Sequence, residues 1–406
     1  MVLLLALTAS AACGDDVLTQ LKQHLALPVG ERPSMQELSF TDASLTREQA
    51  ETAKQLLLDD RRQQHTETYR TIIEDKRVKL GDLEMPFEFY TYGNEKPDSG
   101  WPLYISLHGG GGTAPRVNDR QWENQKRLYK PKVGIYCAPR APTNTWNLWH
   151  QSHIDAIFGQ LIEAMVYIQD VDWNRIYVMG YSAGGDGVYQ LGPRLADRWA
   201  AAAMMAGHPN DAAIENLRNL PFALQVGGRD AAYKRNTIAR KWGERFEQLA
   251  ASDPGGYEHF VKIYDDKGHW MDREDRVALP WMAKYQRNAV PSRVVWEQDD
   301  VTRREFYWLS DPKPEAQHSV VVNFDGQTIE VESANFPNLV IHVDDRMLDL
   351  ERPVVVKHRR KVLLEQAVAR TIKNIAETLQ PTGDPNLCFS GRIDVDLSQA
   401  VEKSGE

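Results

Sequence analysis

The stretch Asn174 to Leu191, NRIYVMGYSAGGDGVYQL, decides the fold. The β-formers of RIYVM predict a strand, Gly180 interrupts them, and after Ser182 the small residues 183–185 lead into a helical pattern. Gly180 to Gly184 fits G-x-S-x-G, in which a strand turns so tightly into a helix that the residues two before and two after the serine must lack bulk. Such a turn leaves the hydroxyl exposed above the sheet edge. A structural serine in a glycine-rich turn is the competing reading, and the strand-turn-helix order favours a nucleophile.

A serine hydroxyl is a weak nucleophile near neutral pH, so a base, an orienting acid and donors for a developing negative charge should lie elsewhere in the chain. YISLHGGGG, Tyr104 to Gly112, reads as a strand running into a His-Gly loop. The backbone N–H of Gly109 or Gly110, together with that of Ala183, is expected to hold an oxyanion, with His108 ordering the loop rather than serving as base. No Gly-Lys-Ser/Thr follows, which argues against a phosphate cradle. For the acid, FALQVGGRDAAY places Asp230 just beyond a strand. Asp265 and Asp266 compete, but they stand too close to the base in sequence to reach its far nitrogen. The base is His269, in the loop of DDKGHWMD after the strand FVKIY. The chain order is therefore Ser182, Asp230, His269.

Working outward, short apolar runs alternate with helical segments from about 79 to 293, which predicts an α/β domain with a mostly parallel sheet and helices on both faces. Residues 16–78 read as a charged N-terminal helical extension without visible chemistry, its long helix opened by a Thr46/Gln49 capping pair. From 294 to 406 β-rich segments separated by turn signals predict a small antiparallel sandwich, with ARTIKNIAETL its one helical piece.

With GYSAGG, GGRD and GHW in place, the chain resembles the α/β-hydrolase superfamily over 79–293. It looks most like the serine esterase branch of polyhydroxybutyrate-depolymerase-like and feruloyl-esterase-like proteins. The resemblance implies an exported hydrolase that cleaves carboxylic esters, small or polymeric, through an acyl-enzyme and without a cofactor. Gly111 stands where depolymerase-like relatives often carry cysteine, so polyester specificity is not expected. The same motifs resemble prolyl-oligopeptidase-like catalytic domains, making a peptidase the alternative; a catalytically silent binding protein on this fold is the third reading.

APTNTWNLWH, ending at His150, follows a predicted strand and so starts at the rim where such sheets bind ligands. Trp146, Trp149, His150 and, beside the base, Trp270 are the candidate substrate-binding side chains, against the alternative of ordinary packing. No H-E-x-x-H or C-x-x-C spacing implies a metal. The formal net charge of −9 argues against nucleic acid as a partner, and the basic run KHRRK, Lys357 to Lys361, reads as a solvated strand end or turn. The first 13 residues read as a signal peptide ending in a lipoprotein-like SAAC, with lipid attachment expected at Cys13 in a bacterial envelope. Cys137 and Cys388 are too few to define a disulfide framework.

Overall fold

The computed structural model describes residues 16–398, so the N-terminal export reading and Cys13 lie outside the described residues. The chain folds as two compact units. One comprises residues 67–303 with 315–317; the other takes residues 16–66, 304–314 and 318–398.

The first unit is built on an eight-stranded sheet: β1 (Arg77–Leu80), β2 (Leu83–Tyr92), β3 (Trp101–Leu107), β4 (Gly134–Pro139), β5 (Val171–Tyr181), β6 (Ala201–Met205), β7 (Phe222–Gly227) and β8 (His259–Tyr264). Their spatial order is β1-β2-β4-β3-β5-β6-β7-β8. β1, β2 and β4 pair antiparallel, and every pairing from β4 through β3 to β8 is parallel. β3, β4, β6 and β7 are buried almost throughout, which is why they read as continuous apolar runs rather than as alternation. The helices His153–Gln169, Ala183–Arg194 and Arg235–Ser252 supply the crossovers. From β3 the chain steps to β4 on one side and then crosses to β5 on the other, so the strand order reverses at β3 and β5. A crevice opens beyond the carboxyl ends of strands at such a reversal. The G-x-S-x-G turn follows β5 and the His-Gly loop follows β3, so topology alone brings them side by side.

The second unit departs from the sequence reading. Residues 16–66 are not a separate extension, because Val17, Leu21, Leu45, Ala53 and Leu57 share one buried cluster with Ile372, Ile375 and Leu379. The capping pair forms in both directions, Thr46 N–H to Gln49 Oε1 at 2.9 Å and Gln49 N–H to Thr46 Oγ1 at 3.2 Å. Nor is the C-terminal region wholly antiparallel: Thr328–Ala334 and Val354–His358 pair in parallel, while Glu305–Phe306, Leu309–Ser310, Asn338–Val343 and Gly391–Asp396 form an antiparallel sheet. The basic run closes a hairpin in which His358 pairs with Lys361, with Arg359 and Arg360 both at positive φ. The boundary also moves past 293, since Arg293–Glu297 belongs with the first unit, where Asn216 bonds both the N–H and the carbonyl of Glu297. Cys137 and Cys388 are free and buried. Among the described residues no helix is long and apolar enough to cross a membrane.

Candidate active site

Ser182 occupies the strand-to-helix turn after β5, with φ 58° and ψ −123°. A non-glycine residue is held there only when its surroundings over-determine it. Its N–H donates to the Met205 carbonyl at 2.9 Å, and its carbonyl accepts from Asp186 N–H at 2.9 Å, opening the helix Ala183–Arg194. The flanking glycines are steric requirements. A Cβ on Gly180 would stand 2.2 Å from the Gly184 carbonyl oxygen, and one on Gly184 would stand 2.1 Å from that of Leu107.

His269 Nε2 lies 2.9 Å from Ser182 Oγ, and its Nδ1 lies 2.7 Å from Asp230 Oδ2. Asp230 is 3% exposed, and its second oxygen, Oδ1, has Arg235 Nη1 3.9 Å away. The loops that carry the pair are tied backbone to backbone, Gly228 N–H to Tyr264 O at 2.7 Å and Arg229 N–H to Lys267 O at 2.9 Å. Asp265 and Asp266 face outward to Arg240 and Lys267.

The His-Gly loop packs directly on the serine: a Cβ on Gly109 would lie 3.1 Å from Ser182 Cβ. Among the described residues the N–H groups of Gly109, Gly110 and Ala183 have no partner within the protein and are available as donors. His108 is fully buried and acts on the loop. Its Nδ1 bonds the Gly109 carbonyl at 2.6 Å while Nε2 accepts from Ala141 N–H at 3.1 Å, which fixes a neutral tautomer. Burial pushes its pKa down to about 3. Asn118, which sequence reading missed, clamps the loop: its Oδ1 accepts from Gly111 N–H and its Nδ2 donates to Gly111 O, both at 3.0 Å. Gly110, at φ 114°, passes so close that a Cβ would stand 2.1 Å from Asn118 Oδ1. The sequence signal was a polar residue on the buried face of the helix Pro115–Gln125, which also went unread as a helix.

Tyr181 was likewise missed, although it sits inside the quoted motif. Its hydroxyl donates to the His269 carbonyl and accepts from Met271 N–H. Burial raises its pKa, so it stays a protonated donor.

The cleft has a volume of about 790 Å³, and Ser182, His269, Gly109, Tyr181, Gln121 and Trp270 are among the residues that line it. Trp270 is 48% exposed and leans on Tyr181, with ring centroids 5.6 Å apart. The other three expected binding residues do not line this cleft. Trp149 is completely buried, donating Nε1–H to the His108 carbonyl at 3.0 Å, because a large aromatic can fill the space beneath the loop and still satisfy its one polar atom. Trp146 is 65% exposed and stacks edge-on against His150, whose carbonyl is held by Arg194. Burial pushes the His150 pKa down to about 4, with Arg194 contributing. Elsewhere Asp211, Asp299 and Asp300 bring carboxylate oxygens within 4.8 Å of one another; exposed acidic groups commonly gather so without an ion.

The strand order, the reversal at β3/β5 and the turn after β5 define the α/β-hydrolase fold. In sequence the chain is similar to esterases: it is 24% identical over 179 residues to feruloyl esterase B of Thermothelomyces thermophilus, a match covering 41% of this chain and 59% of that protein. No family model matches the chain. Solved structures that it resembles include a thermostable esterase (20% identity, TM-score 0.40, 53% of this chain and 64% of that one). Others are a feruloyl esterase module from Clostridium thermocellum complexed with sinapinate (14%, 0.37, 51% and 86%) and dipeptidyl peptidase 4 of Porphyromonas gingivalis (17%, 0.35, 51% and 34%). Likenesses of this degree leave the fold to be read from the strand order itself.

Proposed function

We propose that the protein is a serine hydrolase of carboxylic esters, with Ser182 as nucleophile, His269 as general base and Asp230 as the orienting acid. The observation that carries this reading is the continuous hydrogen-bonded series from Ser182 Oγ through both imidazole nitrogens to a buried carboxylate, at 2.9 and 2.7 Å. Asp230 holds His269 with Nε2 free to accept the Ser182 proton, and stabilises the imidazolium as Oγ attacks the carbonyl carbon. The oxygen of that carbonyl becomes an anion facing the N–H groups of Gly109 or Gly110 and Ala183. His269 then returns the proton to the leaving alcohol, giving an acyl-Ser182 ester. Water attacks that ester with the same base, releasing the acid and restoring the serine.

The similarity to a feruloyl esterase and the exposed Trp270 face on the cleft support an ester with an apolar or aryl portion. Labelling by a fluorophosphonate at Ser182, followed by turnover of a panel of p-nitrophenyl and aryl esters, tests the reading. Cleavage of alanyl or prolyl peptides with no ester turned over would replace it with a peptidase, and absence of labelling would remove the enzyme altogether.

A further inference from the structure

The cleft is not the only concavity on this face of the unit. A neighbouring cavity of about 950 Å³ shares Arg127, Leu128 and Arg273 with it. That volume is at the upper end for small-ligand sites, about 300–1,000 Å³, and exceeds what the leaving group of a simple ester needs.

Its lining is charged with one sign. Arg127, Lys130, Lys132, Arg175, Arg273 and Arg276 surround it, and no Asp or Glu is among its lining residues. The chain as a whole carries a net charge of −9, so a run of cations without a carboxylate is the opposite of what composition favours. Arg175 has Asp172 at 3.6 Å. Among the described residues the other five make no ion pair. The carboxylate next to Arg276 in sequence, Asp275, is 1% exposed and accepts the Tyr129 hydroxyl. These positive charges around a hollow repel one another, with Asp275 offsetting Arg273 in part, and a concave wall focuses their field outward. That arrangement gains when an anion enters and costs stability when none does. The two segments that supply most of the charge, 127–132 after the helix Pro115–Gln125 and 273–276 after His269, also border the cleft through Arg127 and Arg273. An anion held there would therefore be continuous with a group held at Ser182.

We propose that this second cavity receives a part of the substrate bearing two or more negative charges, carboxylate or sulfate, so that the enzyme acts on esters whose acid or alcohol part is polyanionic. The proposal rests on the ester reading of the Ser182 cleft and names the substrate class for it.

Two monoacetylated trisaccharides that differ only in charge, one of galacturonate and one of galactose, test it. The anionic ester should show a kcat/KM about tenfold or more higher at low ionic strength, an advantage that shrinks several-fold by about 0.5 M salt as the charges are screened. The double substitution Lys130→Glu with Arg276→Glu should abolish the advantage, with turnover of the neutral ester reporting that the variant is folded. Equal kcat/KM for the two esters in the unaltered protein would overturn the proposal and leave the esterase reading standing. A binding measurement separates the two further. Calorimetry of Ser182→Ala with unacetylated trigalacturonate, galactotriose and sulfated galactotriose needs no turnover. Tighter binding of the first assigns carboxylates and of the third assigns sulfates; binding no tighter than galactotriose overturns the anion site. Charge-dependent binding with neither acetyl ester nor any p-nitrophenyl or aryl ester cleaved would overturn the ester reading instead.

Discussion

The Tyr181 hydroxyl donates to the carbonyl oxygen of His269, so the residue just before Ser182 pins the loop that carries His269. One turn of chain thereby holds both groups, Ser182 through its backbone and His269 through its neighbour's side chain. Tyr181→Phe removes the donor and leaves the His269 carbonyl and Met271 N–H without it. The expected result is a loss of about 1–3 kcal/mol in unfolding free energy and a fall in kcat of about tenfold or more, with KM little changed, because a small displacement of a positioned base is costly. Urea unfolding and steady-state kinetics check it. Unchanged kcat would show that the loop holds itself.

Asp230→Asn should lower kcat by about 10⁴ by allowing the wrong imidazole tautomer. Asp265→Asn and Asp266→Asn should change it by less than about twofold, since their carboxylates are exposed and face Arg240 and Lys267. Kinetics on one aryl ester ranks the three, and the reverse ranking would reassign the acid.

Trp149 and Trp270 should separate cleanly. Trp149→Ala opens a cavity beneath the His-Gly loop and should destabilise the protein by about 3–5 kcal/mol. Trp270→Ala should leave stability within about 0.5 kcal/mol and raise KM for aryl esters more than for acetate esters. Thermal denaturation alongside KM for both ester classes decides between the roles.

Asn118→Ala removes the clamp on Gly111 while Gln125, the other buried residue of the helix, keeps its bond to Ser106. It should lower kcat by about 10- to 100-fold through a loosened donor pair, and fluorophosphonate labelling should slow in parallel. Labelling at the normal rate would mean that Gly109 and Gly110 are held without it.

His108 gives a pH dependence. Its pKa is lowered to about 3 in the folded protein from an ordinary 6.5, so the folded state binds fewer protons than the unfolded one between those values. Stability from this group is complete above pH 6.5 and is lost as pH falls towards 3. The loss is about 1.4 kcal/mol per unit below 6.5. His150 and His342, both lowered to about 4 by burial, act in the same direction. His108→Gln should therefore show a shallower decline of unfolding free energy between pH 6.5 and 5 than the parent, by about 2 kcal/mol over the interval. Parallel curves would show that His108 is protonated in the folded state.

The sequence by itself determined the mostly parallel sheet, the G-x-S-x-G turn at Ser182 and the loops that carry Asp230 and His269, because those features are local. A fully buried strand must be apolar along its length, and the Ser182 turn needs glycine at 180 and 184 whatever surrounds it. Asp230 and His269 were legible for the same reason, each standing just beyond a strand whose end is marked by glycine or charge. What only the tertiary structure decided is which side of each residue faces what. Trp146, Trp149 and Trp270 are alike as letters, yet one packs its backbone on the His-Gly loop and exposes its ring, one is buried beneath the loop and one lines the cleft, because burial depends on elements far away in sequence. Asn118 and Tyr181 serve the site through polar atoms whose partners, Gly111, His269 and Met271, are identified only once the loops meet. The joining of residues 16–66 to the C-terminal helix Ile372–Leu379 was illegible for the same reason: the apolar faces of Leu45 and Ile372 are each ordinary alone, and only packing puts them in one cluster.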